Sequence, residues 1–127
     1  GIAGLAAAQE LAQAGLQVVV FDKGRGPGGR TSTRRAAPYA FDHGAQYFTV
    51  RDAHFAHVVQ SWWAEGVAAP WNGRIVSLEH AVVRELDGAT LRFVGVPGMN
   101  ALAGRMAREL DVRCNTRVAR ADFAEQR

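Results

Sequence analysis

The stretch from Val18 to Arg30, VVVFDKGRGPGGR, narrows the choice of fold more than any other part of the chain. Its four leading apolar residues, Val18 to Phe21, run straight into Asp22. That is the pattern of a strand buried on both faces, as parallel sheets require, with a carboxylate delivered at its open end. Gly24, Gly26, Gly28 and Gly29 follow at once and let the backbone approach a bulky group, while Arg25 and Arg30 mark that group as anionic.

The residues before this stretch read as a helix. Gly1 to Gly15, GIAGLAAAQELAQAG, is alanine-rich, has Gly15 as its stop, and offers Ile2, Leu5 and Leu11 as an apolar face. Its opening Gly1-Ile2-Ala3-Gly4 matches the last four positions of GxGxxG, where glycines allow a tight turn and a pyrophosphate rests on the positive end of the helix. Asp22 falls eighteen residues after Gly4, near the spacing of an acid that accepts hydrogen bonds from a ribose. An ordinary helix with a glycine-rich start leaves the second glycine loop unexplained, so the order of helix, strand, acid and loop favours a dinucleotide. The fingerprint also calls for a strand before Gly1. The sequence is therefore expected to be a piece of a longer protein.

Further on, Thr31 to Ala37 is polar and basic, and Tyr39 to Val50 turns apolar around DHGAQ. Asp42 and Gly44 suggest a tight turn whose backbone amides face a ligand, with Gln46 and Tyr47 next in line. Asp52 to Glu65 is an amphipathic helix with Asp52 as N-cap, an apolar stripe of Phe55, Val58, Val59, Trp62 and Trp63, and Gly66 at its end. His54 and His57 on its flank lack partner ligands and read as surface residues. Pro70 to Gly73 breaks the pattern, and Asp87-Gly88 between VVREL and ATLRFV signals a two-residue hairpin. Asn100 then reads as the N-cap of a helix whose buried stripe is Leu102, Ala103, Met106, Ala107 and Leu110, before DVRCNTRVARADF resumes as one or two short strands.

Composition removes some classes. Net charge is +3, and Lys23 is the only lysine among fifteen basic residues. Arg25, Arg30, Arg34 and Arg35 form a local cluster, but no groove-reading helix or aromatic stacking platform accompanies them, so no nucleic-acid partner is expected. No apolar run approaches membrane-spanning length, and no membrane partner is expected either. The single cysteine, Cys114, cannot bridge within the chain and suits a reducing, cytoplasmic setting. Neither a nucleophile–base pair nor a metal-ligand set is visible.

Taken together, GIAGLAAAQ, DKGRGPGGRTST, DHGAQYFT and VGVPGMNALAGRMA resemble the N-terminal half of FAD-dependent oxidoreductases of the flavin amine oxidase superfamily, most closely the renalase-like flavoproteins. The double-glycine arginine loop is the more specific element, since plain nicotinamide dehydrogenases lack it. The resemblance implies an α/β fold: a Rossmann-like FAD-binding domain plus the beginning of an antiparallel substrate domain, without the first strand and the C-terminal half. Residues 1–70 would be an FAD-binding segment, 71–96 an inserted antiparallel hairpin that starts the substrate domain, and 97–127 a return to the FAD-binding domain. It also implies roles for residues. Gly1, Ala3 and Gly4 would border the FAD pyrophosphate, Asp22 and Lys23 would hold the adenosine ribose region, and Gly28, Gly29 and Arg30 would meet the phosphates or the flavin side. Gly44, Ala45, Gln46 and Tyr47 would lie near the flavin, and the backbone of Val118, on a strand, would meet adenine. The implied reaction is hydride transfer from a small-molecule substrate to FAD and on to oxygen, with an isomeric dihydro-NAD(P) as the expected substrate. A small amine is the alternative substrate, and a non-catalytic remnant of the fold the alternative to an enzyme.

Overall fold

The computed structural model describes residues 1–85 and 90–122. Helix α1, Ile2–Gln13, ends as its sequence requires. Gly15 takes φ +84°, its N–H donates to Ala12 O at 2.9 Å, and Leu16 N–H reaches back to Leu11 O at 3.1 Å. These two bonds close a Schellman motif, which only a residue tolerant of left-handed φ allows at low cost. Leu5 and Ala8 are buried, but Leu11 is 46 % exposed, so the apolar face is narrower than the spacing predicts.

Strand β1, Val19–Phe21, runs parallel to β9, Asp111–Arg113, with Val20 opposite Val112. The expectation of burial on both faces fails here: Val19 and Phe21 are 43 % and 49 % exposed, and only Val20 turns inward between them. A ladder of two strands covers β1 on one edge, and α1 packs on one face, so alternate residues stay open. The strand expected around Val118 is likewise shorter than predicted. Regular pairing stops at Arg113, and residues 114–122 carry no strand.

The remaining strands are antiparallel. Strands β2, Thr33–Ala36, and β3, Tyr39–Asp42, form one hairpin. Strand β8, Arg92–Gly95, lies between β4, Phe48–Thr49, and β5, Ala68–Pro70. Strands β6, Val76–Glu79, and β7, Val82–Glu85, form a second hairpin. The Asp87-Gly88 signal predicts a hairpin of VVREL with ATLRFV. That dipeptide lies outside the described residues, and the two flanking strands belong to different sheets: β7 pairs back on β6 through His80 and Ala81, while β8 pairs with β4 and β5. Burial is the physical reason. Phe93 on β8 is only 6 % exposed and stacks on Phe48 at 5.8 Å, a gain that pairing with the exposed β7 does not offer.

Helix α2, Ala53–Ala64, begins where Asp52 accepts from Phe55 N at 2.8 Å and ends at Gly66, φ +71°, in a second Schellman pair from Gly66 to Trp63 O and from Val67 to Trp62 O. Val59 and Trp62 are buried, while Trp63, expected in the stripe, is 53 % exposed. Helix α3, Asn100–Met106, completes the set. One apolar cluster joins the layers, with Leu5 from α1, Val59 and Trp62 from α2, Phe93 from β8, and Met99, Leu102, Ala103 and Met106 from the start and body of α3. The result is a mixed α/β architecture with a parallel pair and flanking antiparallel sheets, that of a Rossmann-like domain fragment.

Candidate functional site

Two glycine segments and one acid converge at the N-terminus of α1. A Cβ added to Gly29 would come 3.2 Å from Gly1 Cα, and one added to Gly1 would come 3.6 Å from Gly28 O. Gly28 and Gly29 adopt φ +136° and +55°, which side chains strain to reach. The loop therefore passes backbone against backbone over the first turn of α1. Asp22, at the end of β1, points its Oδ2 to within 3.6 Å of Gly1 N, while Oδ1 accepts from Gly24 N at 2.8 Å. Its side chain is 15 % exposed. Behind it, Asp22 N donates to Arg113 O, Thr116 N to Asp22 O and Asn115 N to Gly24 O, so the chain after β9 pins the loop's root. Arg113 stacks over the Phe21 ring at 5.9 Å and donates to Asp111, and that hydrogen bond, with the charge behind it, holds the Asp111 carboxyl below its usual range.

The loop does not stand alone. Gly29 to Thr31 forms a short 3-10 turn, with Thr31 N–H and Oγ1 both donating to Gly28 O. Arg30, exposed at this turn, offers its carbonyl to Ala45 N at 2.8 Å. A Cβ on Gly44 would overlap Arg30 O, so the DHGAQ segment reaches the arginine loop only because Gly44 lacks a side chain. Ala3 and Gly4 lie exposed on the first turn of α1, and a Cβ on Gly4 would meet nothing within 4 Å. Lys23 and Gln46 are exposed beside the loops they belong to.

Tyr47 and Val118 have other surroundings. The Tyr47 ring packs on Trp71 at 5.6 Å and carries the Arg92 guanidinium at 5.4 Å. Val118 is 56 % exposed, two residues beyond Thr116, whose N–H makes the last backbone hydrogen bond described for the segment that follows β9. His43 meets Ser32 Oγ at 3.3 Å, and His57 Nδ1 meets Ala53 O at 2.9 Å. Among the described residues no set of three metal-ligating side chains is assembled.

The geometry also reassigns Asp42. Its Oδ1 accepts from Thr33 Oγ1 and from Met99 N at 3.0 Å, and Asn100 N donates to Thr33 Oγ1 at 3.2 Å. Asn100, expected as the N-cap of α3, is the helix's first residue, and its cap comes from side chains on β2 and β3. Gly98 makes this possible, since a Cβ there would press on Thr33 Oγ1 at 2.9 Å. The DHGAQ segment thus anchors α3 through Asp42 and the arginine loop through Gly44 and Ala45.

Helix N-terminus, strand-end acid and glycine loop in backbone contact make an anion cradle beside a hydrogen-bond acceptor. Residues 1–62 match the family model of an NAD(P)-binding Rossmann-like domain. That family model describes a dinucleotide-binding fold, to which this segment is similar. The Rossmann-like match takes in α1, β1, the arginine loop, the β2–β3 hairpin and nearly all of α2, and so covers both glycine segments and Asp22. No helix among the described residues is long and apolar enough to cross a membrane.

Proposed function

We propose that the chain is the FAD-binding part of a flavin-dependent oxidoreductase. Held by Gly1, Asp22, Gly28, Gly29 and Arg30, FAD would supply the redox chemistry for oxidation of an isomeric dihydro-NAD(P), with oxygen as electron acceptor and hydrogen peroxide as co-product. The observation that carries this reading is the three-way approach of Gly1, Asp22 and Gly29 at the start of α1. The free first-turn amides of α1 suit a pyrophosphate, and the open side of Asp22 suits ribose hydroxyls. Gly28 and Gly29 keep side chains out of the phosphate's path, and Arg30 stands exposed at its rim. FAD is favoured over a nicotinamide cofactor by the double-glycine arginine loop, which plain nicotinamide dehydrogenases lack; Ala45 N, donating to Arg30 O over Gly44, holds that loop against DHGAQ, the segment that the resemblance to renalase-like flavoproteins puts near the flavin. The chain's own part in the reaction is to bind, orient and shield.

The test is spectroscopic. The intact protein is expected to purify yellow and to bleach anaerobically when a dihydronicotinamide isomer is added. Asp22→Asn keeps an acceptor for Gly24 N but loses the charge that holds the ribose, so its FAD affinity should fall about tenfold or more. A colourless protein that takes up no added FAD overturns the reading.

A further inference from the structure

Arg92 is the one described side chain with a buried polar atom left without a partner. Its guanidinium lies over the Tyr47 ring at 5.4 Å, and Tyr47 packs against Trp71 with ring planes 35° apart. One terminal nitrogen donates to Thr90 O at 3.2 Å, while Nε is shielded from solvent and finds no hydrogen-bond partner among the described residues. Arg92, Trp71, Ile75 and Leu91 line an open cavity of about 310 Å³. Strand β8 holds Arg92 in place from both sides, because Phe93 is core and β4 and β5 flank it.

A guanidinium has no acceptor capacity and keeps its charge, so a ligand that meets its cavity-facing side must bring an oxygen acceptor, preferably an anionic one. Its planar fork matches the oxygens of a phosphate or carboxylate. Tyr47 and Trp71 add flat, largely apolar surface with polar edges, suited to a planar ring.

We propose that Arg92, backed by Tyr47 and Trp71, is the anion anchor of the substrate pocket and binds a phosphate of the substrate. This rests on the oxidoreductase reading, which supplies a substrate that carries phosphate next to ring systems. Arg92 is a specificity-determining residue; it takes no part in the hydride step. These contacts hold the side chain at the start of β8, the central strand of its sheet, whose other residues are apolar or glycine. Tyr47, expected near the flavin, would then connect the cofactor side of the pocket to the substrate's charged end.

Steady-state kinetics on the intact protein with two substrates decide the matter: a dihydronicotinamide mononucleotide, which has a phosphate, and the corresponding riboside, which has none. Arg92→Met should raise KM for the mononucleotide about tenfold to a hundredfold, leave kcat within about twofold, and barely change the riboside. Arg92→Lys, which keeps the charge without the fork, should recover part of the loss. Equal losses on both substrates, or none on either, overturn the proposal. Should the protein oxidise neither substrate, the oxidoreductase reading fails separately, and a titration with inorganic pyrophosphate still decides the anchor. The Arg92 Nε–H nuclear resonance should shift saturably and vanish in Arg92→Met, whereas an unmoved resonance overturns it.

Discussion

Between Arg30 and Gly44 two backbones touch with no room for a side chain, and Ala45 N donates across the same gap at 2.8 Å. In the β6–β7 hairpin the contacts are the strand ladder and one exposed Arg74–Glu85 pair at 2.7 Å, while Leu78, Val82 and Val83 stand 53–70 % open. Both regions connect strands at the surface. They differ in what a single added methyl group does. In the loops it displaces main chain that is itself hydrogen-bonded, and in the hairpin it meets solvent. Tolerance to substitution here follows backbone proximity more closely than it follows burial, since Gly44 itself is exposed.

The largest expected effect tests the loop side of that contrast. Gly44→Ala must push Arg30 away and break the Ala45 bond, and it should cost about 3 kcal/mol or more in urea unfolding, with loss of bound cofactor. Gly104→Ala is the matched control: a Cβ there meets nothing within 4 Å, and the residue sits inside α3. The same chemical change should stabilise the protein by about 0.5–1 kcal/mol. Equal effects at the two glycines would dissolve the distinction.

The loop side was also the legible side, for a physical reason. Gly15, Gly66, Asp52 and the order of Asp22 and Gly28-Gly29-Arg30 act on neighbours a few residues away, so their chemistry shows in short strings. Three features escaped. Asp42 and Thr33 cap α3 across 57 and 67 residues, Arg92 meets Tyr47 across a similar gap, and β8 leaves its sequence neighbour β7 for β4 and β5. No local period encodes such partners. Leu11 and Trp63 failed differently: the 3.6-residue period placed them on an apolar face, but the described neighbours are too few to cover the whole stripe. The period says which side of a helix is apolar and does not say how wide its cover is.

On the hairpin side the turn is the weak point. His80 and Ala81 take φ +49° and +65°, the left-handed pair of a type I′ turn, in which a histidine and an alanine are both disfavoured. Replacing them by Asn-Gly should therefore stabilise the protein by about 1 kcal/mol, read as a higher urea midpoint at unchanged slope. A gain of this kind is available only where strain is local and nothing else leans on the turn, so a loss would show that the hairpin is held from outside its own ladder.

The smallest effect separates two surface ion pairs. Arg74–Glu85 joins residues more than two-thirds exposed, and such pairs are worth little. Glu65–Arg105 instead ties the end of α2 to α3 through two hydrogen bonds, the second at 3.1 Å. The Arg105 hydrogen bond, opposed by desolvation and helped by the Arg105 and Arg108 charges, holds the Glu65 carboxyl below its ordinary 4.5. A carboxyl lowered in the folded state binds its proton later than in the unfolded chain. Its contribution is therefore complete above the ordinary value and fades as pH drops through the lowered one. Glu65→Gln should lower Tm slightly at pH 7, and the difference from the parent should close as pH falls below about 4.5. Arg74→Ala should leave Tm unchanged at pH 7. A Glu65→Gln deficit that persists in acid would mean that the side chain acts through packing on α3 and that its charge is incidental.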